Sequence, residues 1–489
     1  MNIADRQLAV RLFLLTFVTY AYFQAGGGWN QNSQLDLTRA IVERHTLAID
    51  AYASNTGDIS KYNGHVYTNK APGLSFLGAI PYALLYPFEH DPNDPLVLAL
   101  NVYICTIICV ALLGAIVPLI LYRYAREQGI AAPWAATVAL AIALATQLFP
   151  YATLFVTAAP SGGLMLVALT MRRRAWAGAA AGVATTMNYL CGPALLLFGL
   201  AGPRRIRFFA GATPPLIILA IYQKICCGSF FRTPISTMDP RFVNPDAALG
   251  IMQRPSLQAL YGITVSPYRG LFFFAPVLIL ALVGLFYWFR AGQALVPATV
   301  SVITLFFFAF NVSFNGWEGG FGIGARYLVP LIPLWGLAML HLSRRWRAAF
   351  VALAVLSFAI NFAATAVDPQ PSGTIPRPLT QYVFPLLMHG HFSPEVPITP
   401  PWSAATFTGH TSVNRMTFDE AVVFARHPPG SDAAEWASFN LGESFFGAGD
   451  ARSLIPIAIV ILAGCAAIAW KSRFHHRGTE DTENTQLEP

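Results

Sequence analysis

Apolar runs of close to twenty residues recur from one end of the chain to the other, near 9–25, 97–121, 133–149, 155–171, 208–225, 271–289, 293–311, 327–342, 348–366 and 453–470. A helix rises 1.5 Å per residue and needs about 20 apolar residues to cross the hydrocarbon layer, so each run predicts a transmembrane helix. Residues 175–202 are apolar too, but short for two full spans. Arg172, Arg173 and Arg174 precede this stretch and Arg204, Arg205 and Arg207 follow it. Both of its ends therefore face one side, as in a tight or partly re-entrant helical pair. Counted as two, it brings the total to about twelve spans in an all-α polytopic membrane protein. Composition agrees, with 55% hydrophobic and 11% charged residues against roughly 25% charged in a soluble domain.

The net charge of +7 resides in small Lys/Arg clusters between apolar runs, where topology determinants sit, and is read as orientation rather than as a nucleic-acid partner. From a cytoplasmic start, alternating sides places Arg123/Arg126, the Arg172 triplet, Arg204/Arg205/Arg207, Arg290, Arg344/Arg345/Arg347 and Lys471/Arg473/Arg477 all inside. Both termini are then cytoplasmic. The long polar segments 26–95, 226–268, 312–325 and 367–452 fall outside, and they hold most of the side chains suited to chemistry. The first apolar run leads into Gly-Gly-Gly-Trp with no small-residue cleavage pattern, so it is expected to stay as the first span. Six cysteines without CxxC spacing support neither a disulfide framework nor a zinc site. The expected organisation is a module over 1–366, an outer loop or small domain over 367–452, a last span at 453–470 and an unstructured cytoplasmic tail at 471–489.

Within the first outer segment, Leu35, Leu37, Ile41, Val42 and Leu47 recur near helical spacing, while Asp36, Arg39, Glu43 and Arg44 take other faces. This predicts a helix lying in the membrane interface. Leu74 to Phe88 is apolar but carries Pro81 and Pro87, and reads as a second interfacial helix. Between them runs the densest polar stretch, Thr56 to Gly73, which combines Asp58, His65, Tyr67 and Lys70. Asn63-Gly64 is turn chemistry and Pro72-Gly73 restarts the chain. An ammonium held at headgroup level suits a lipid phosphate; the plainer reading of Lys70 is a lysine snorkelling to the interface.

Tyr67-Thr-Asn-Lys-Ala-Pro-Gly73 resembles the Y-x-x-K-[AP]-P-[LG] element of the polyprenyl-phosphate-dependent glycosyltransferases of the GT-C superfamily. That group takes in protein mannosyltransferases, the lipid A aminoarabinose transferase and RgtA/B/C/D-like bacterial enzymes. The Leu37-Thr-Arg-Ala-Ile-Val-Glu43 helix before it, and Asn315-Gly-Trp-Glu-Gly-Gly-Phe-Gly-Ile-Gly-Ala-Arg-Tyr-Leu328, are similar to the same group. The resemblance implies a GT-C fold and inverting transfer of a sugar from a polyprenyl-phospho-sugar donor to a glycan, lipid or protein acceptor. The reaction would occur at the outer face of a bacterial inner membrane, in a cavity roofed by the first loop. It further implies an acidic residue that takes the acceptor's proton and a cation beside the lipid phosphate.

The acidic pair that opens this helix in the aminoarabinose transferase pattern is Asn30-Gln31 here. Asp58 and Asp36 are the substitutes, with Asp50 and Glu318 behind them; the plainer reading of each is a solvated or capping carboxylate. Lys70 is expected to hold the phosphate, with Tyr67 and His65 lining the pocket. Arg326 and Arg269 stand at the outer ends of two spans, the first in a Gly-rich loop with Glu318, where each suits a phosphate. Pairing of Arg326 with Glu318, and topology anchoring by Arg269, are the structural alternatives. His389-Gly-His391 and the scattered histidines, His410 among them, lack ligand spacing. Some relatives use a divalent cation and others do not; none is required here. Outside this class stand a secondary transporter or lipid flippase, for which no internal repeat is evident, and an inactive relative serving as scaffold.

Overall fold

The computed structural model describes residues 2–88, 95–292, 294–373, 375–388, 438–447 and 449–484. Most of the outer region expected at 367–452, including His389, His391 and His410, lies outside the described residues. The chain is an all-α membrane protein with two small strand pairs. Helix α1 (Ile3–Ala21) is followed by a short strand β1 (Phe23–Gln24), then by α2 (Trp29–Arg44), the hairpin β2 (Ile59–Tyr62) and β3 (His65–Thr68), and α3 (Gly73–Leu85). A near-continuous helix follows, α4 (Pro95–Thr106) running through a π turn into α5 (Leu112–Glu127). Next come α6 (Ala132–Leu144), the single turn α7 (Leu148–Tyr151), α8 (Ala158–Thr170), α9 (Arg174–Met187), α10 (Cys191–Ala201) and α11 (Arg205–Cys227). The second half holds α12 (Leu257–Thr264), α13 (Leu271–Phe274), α14 (Leu280–Arg290), α15 (Leu295–Ser313), α16 (Ile332–Met339), α17 (Arg347–Val367) and a terminal helix, Ile455–Asn484.

Every apolar run becomes helical, but among the described residues only five helices are long and apolar enough to cross a membrane: Val97–Glu127, Arg205–Cys227, Leu295–Ser313, Arg344–Val367 and Ala451–Ser472. Seven further apolar helices among the described residues are shorter, at 10–17 residues. At 1.5 Å per residue the 13 residues of α6 reach about 20 Å, short of the ~30 Å hydrocarbon layer. The cause lies in the breaks: residues 145–157 interrupt the run between α6 and α8. The α9–α10 pair is a tight one, since the Arg174 guanidinium donates to the Phe198 and Pro203 carbonyls and so holds its two ends together. The terminal helix extends to Asn484 and takes in part of the tail expected to be unstructured.

The basic linkers gather at one end of the bundle. Lys471 donates to Gln7 at 2.7 Å, Arg126 pairs with the buried Asp5 at 2.8 Å, and Arg172 pairs with Glu127. Trp134 donates to the Leu340 carbonyl and Arg345 to the Tyr287 hydroxyl. Gln7 and Lys471, near the two chain ends, thus share this face. At the opposite end α2, α3 and the hairpin form a cap with its own small core, in which Leu37, Ala40, Ile49, Tyr52 and Tyr67 pack on Tyr222, Cys226 and Cys227 of α11.

Helix α2 forms where periodicity predicts it, but it is not an interfacial helix with a wetted polar face. Gln31 through Ala40 are all buried. Its charged pair points inward instead: Arg39 pairs with Glu43 at 2.8 Å, and Tyr52 and Tyr82 both donate to Glu43. This cluster joins α2 to α3, and loss of the Glu43 charge would leave a buried guanidinium at a cost of about 3–5 kcal/mol.

Candidate functional site

Asn63-Gly64 makes a two-residue turn with both residues at positive φ, 54° and 83°, the geometry that matches the twist of a β-hairpin. The resulting register pairs Ile59 with Thr68 and so carries Asp58 opposite Asn69 at the open end of the hairpin. The Asn69 amide N–H donates to the Asp58 carbonyl at 3.2 Å and its side chain to Asp58 Oδ1 at 3.3 Å. One residue further on, Lys70 Nζ lies 2.9 Å from Asp58 Oδ1. Twelve positions apart in the chain, the two charges meet because a two-residue turn sets the strand pairing. Ser33 of α2 holds this end closed, its hydroxyl lying 2.6 Å from the Asp58 carbonyl and 2.5 Å from the Thr68 hydroxyl. Asp58 is largely buried while Lys70 keeps about a fifth of its side chain exposed (22%). The pair is consequently reachable from one direction.

The Gly-rich loop supplies a second cation. Arg326 stands at the loop's end, partly buried, donating to the Tyr327 hydroxyl at 3.1 Å. Asp58, Tyr151 and Tyr327 all act on it electrostatically, and among the described residues no carboxylate is in ion-pair contact with it. Its chain lies flat against Gly319, which sits at φ 77°, and a Cβ there would meet Arg326 Cγ at 3.1 Å. Only glycine combines that backbone with that contact.

Arg269 does different work from that expected. It is 1% exposed, and its guanidinium donates to the carbonyls of Glu318 at 3.1 Å, Gly320 at 2.6 Å and Ser372 at 3.4 Å. With its donors spent on backbone, it orders the Gly-rich loop and is not presented to a ligand. Tyr151 supports the same loop through the Ile323 carbonyl at 3.0 Å, and Gly322 donates to the Pro371 carbonyl. Glu318 sits in this loop and lends Arg269 its carbonyl.

His65 lies outside the cluster. It occupies the turn end of the hairpin, four residues or roughly 13 Å along the strand from the open end, exposed and 2.8 Å from Asp50. Asp50 is committed there, since it also accepts from the Val66 amide. Tyr67 is buried in the cap core beside Cys226 and Cys227, and that burial raises its phenol pKa; it packs the hairpin down rather than facing a ligand. Asp36 is fully buried and accepts from Asn55 at 3.3 Å. It belongs to the interior of the cap. Asp58 and Lys70 are therefore the two expected residues in direct contact, and Arg326 lies within the electrostatic reach of Asp58.

Sequence reasoning missed Ser33 and Tyr151, and also the strap 368–373. The strap is buried, and its Gln370 accepts from the Gln31 side chain and donates to the Gly26 carbonyl at 2.8 Å. Gln31, one of the two residues that replace the acidic pair, thus ties the start of α2 to the strap. Asp368 opens the strap with its carboxylate held by the Gln370 amide at 2.7 Å and the Tyr382 hydroxyl at 2.9 Å. Burial pushes its pKa up to about 6 against the pull of those two donors. Among the described residues no group of three His, Cys, Asp or Glu side chains is placed to hold a metal ion.

No family model matches the chain, and no curated protein matches it. One solved structure is similar. It is the crystal structure of ArnT from Cupriavidus metallidurans bound to undecaprenyl phosphate, with a TM-score of 0.43 and 20% identity over 74% of this chain and 63% of that one. The chain spans less than two thirds of that protein's length.

Proposed function

We propose that the chain is an inverting membrane glycosyltransferase. In this reading it moves a sugar from a polyprenyl-phosphate-linked donor to a glycan, lipid or protein acceptor at the outer face of a bacterial inner membrane. The observation that carries the reading is the Asp58–Lys70 pair with Arg326 in its electrostatic field, two cations to one carboxylate, at the pole opposite the basic linkers. A phosphate brought in by a lipid supplies the missing anion. Lys70 binds it as a compact point charge and Arg326 through its planar fork, both in a medium of reduced dielectric where such contacts strengthen. Lys70 then turns from Asp58 to the phosphate, and the carboxylate is left to accept a proton.

The chemistry follows as one displacement. Asp58 takes the proton of the acceptor hydroxyl, the acceptor oxygen bonds to the anomeric carbon, and the bond from that carbon to the phosphate oxygen breaks. The electron pair leaves on the lipid phosphate, which Lys70 and Arg326 stabilise. A single displacement inverts the anomeric centre. Asp36 has no such path, because it is sealed in the cap. The positive charge comes from Lys70 and Arg326, so no divalent cation is required in this scheme, and a chelator is expected to leave turnover unchanged.

The test is release of polyprenyl phosphate from a radiolabelled polyprenyl-phospho-sugar by the purified protein in lipid. Release that collapses in Lys70→Ala and Asp58→Asn supports the transferase and places the site at the hairpin's open end. Absence of both release and lipid-phosphate binding, with no response to Lys70→Ala, would sink the reading in favour of transport or scaffolding.

A further inference from the structure

Along the middle of α1, α1 and the terminal helix pack side by side and leave a groove of about 300 Å³ open to the surrounding membrane. Its walls are apolar: Leu14 and Val18 come from α1, and Val460, Gly464 and Ala467 from the terminal helix. The depth of the groove reflects Gly464, where a Cβ would meet Leu15 Cδ1 at 2.6 Å. The helices approach closely there, and the larger side chains on either side form the rims. Leu14 is 49% exposed and Val18 43%, so these walls face lipid rather than protein.

One side chain in the groove is charged. Arg11 lines it, exposed and with no hydrogen bond or ion pair among the described residues. It stands one turn, about 6 Å, inward from Gln7, which pairs with Lys471 at the edge of the bundle. The carboxylate at this end of α1, Asp5, is taken up by Arg126 and Tyr122. Arg6 and Lys471 add further positive charge. An arginine without a counter-ion at membrane depth is costly, and a ligand that brings an anion at that depth relieves the cost.

We propose that this groove holds one anionic phospholipid from the leaflet at the N-terminal end of α1. Its phosphate lies on Arg11, and the first carbons of an acyl chain run about 10 Å along Leu14, Val18, Val460 and Gly464, the axial distance from residue 11 to residue 18. Charge complementarity selects the headgroup. The apolar walls select a lipid over a free anion, since a soluble phosphate leaves them empty.

Native mass spectrometry of the full chain in mild detergent, titrated with dioleoylphosphatidylglycerol and in parallel with dioleoylphosphatidylcholine, tests this. The expected result is one retained phosphatidylglycerol whose affinity falls about fivefold in Arg11→Gln, the loss expected of one basic side chain near a membrane surface. Ala467→Phe fills the groove from an exposed position and keeps the charge, and it is expected to lower retention by a similar factor. Equal retention of phosphatidylcholine, or retention unchanged in either variant, overturns the proposal.

Discussion

Among the carboxylates of the cap, position alone separates two roles. Asp58 meets Lys70 at 2.9 Å at an accessible edge, whereas Asp36 is sealed among α2 and its neighbours. Asp58→Asn is therefore expected to lower turnover by about 10²–10⁴, the range of a lost general base, while donor still binds. Asp36→Asn should instead lower thermal stability and leave the turnover of the folded fraction near wild type; donor-binding titrations beside single-turnover rates separate the two. Asp368 gives a pH signature of its own. Its folded pKa of about 6 lies above the ordinary carboxylate value of 3.8, so the native state holds this proton more tightly than the unfolded chain does. The resulting stabilisation is full below about pH 4 and is lost as pH rises through about 6, on the order of 3 kcal/mol in all. Melting curves between pH 4 and 7 should show that decline, and Asp368→Asn should flatten it.

At the scale of elements, the Gly-rich loop depends on a neighbour's guanidinium rather than on its own hydrogen bonds. Arg269 caps the carbonyls of Glu318, Gly320 and Ser372, and so couples the loop to the strap that follows α17. Arg269→Ala leaves those buried acceptors without a partner, at about 1–3 kcal/mol for each that stays unsatisfied. We expect a lower melting temperature and weaker donor binding through a displaced Arg326. Arg269→Lys should recover only part of either, because an ammonium cannot span three carbonyls as a planar fork does. An unchanged melting temperature in Arg269→Ala would show that the loop holds its shape without it. The hairpin obeys a simpler rule, since its two-residue turn decides which residues face each other at the far end.

For the whole molecule, the contacts among the basic linkers place residues 5–7, 123–134, 172–174, 203–207, 287–290, 340–347 and 471 at one pole. The positive-inside rule predicts that this pole faces the cytoplasm. Reporter fusions at the two termini are thus both expected to read cytoplasmic, and a cysteine placed at Gly64 should label from the opposite side with an impermeant reagent. Labelling of Gly64→Cys only after the membrane is opened would reverse the assignment. The same arrangement leaves α6, α8, α9 and α10 shorter than the bilayer is thick, so residues 145–157 end inside protein, where Tyr151 supports the Gly-rich loop.

Hydrophobic run length, side-chain periodicity and the placement of arginines were enough, from sequence, to establish a helical membrane protein, the tight pair at 175–202 and a helix carrying Leu35 to Val42, because those signals are local and periodic. The Asn63-Gly64 turn was legible as well, and with it, in principle, the meeting of Asp58 and Lys70. The fates of Asp36, Arg269, Tyr67 and His65 were not, since an ionisable or aromatic side chain reads the same in a chain whether it is sealed in a core, capped by backbone or open to a ligand. Burial and partner choice are properties of surfaces that meet across long stretches of sequence: Arg269 with Gly320, Gln31 with Gln370, Asp58 within the field of Arg326. Only the packed tertiary structure brings those surfaces together, and the packing decided which of the expected residues form the site.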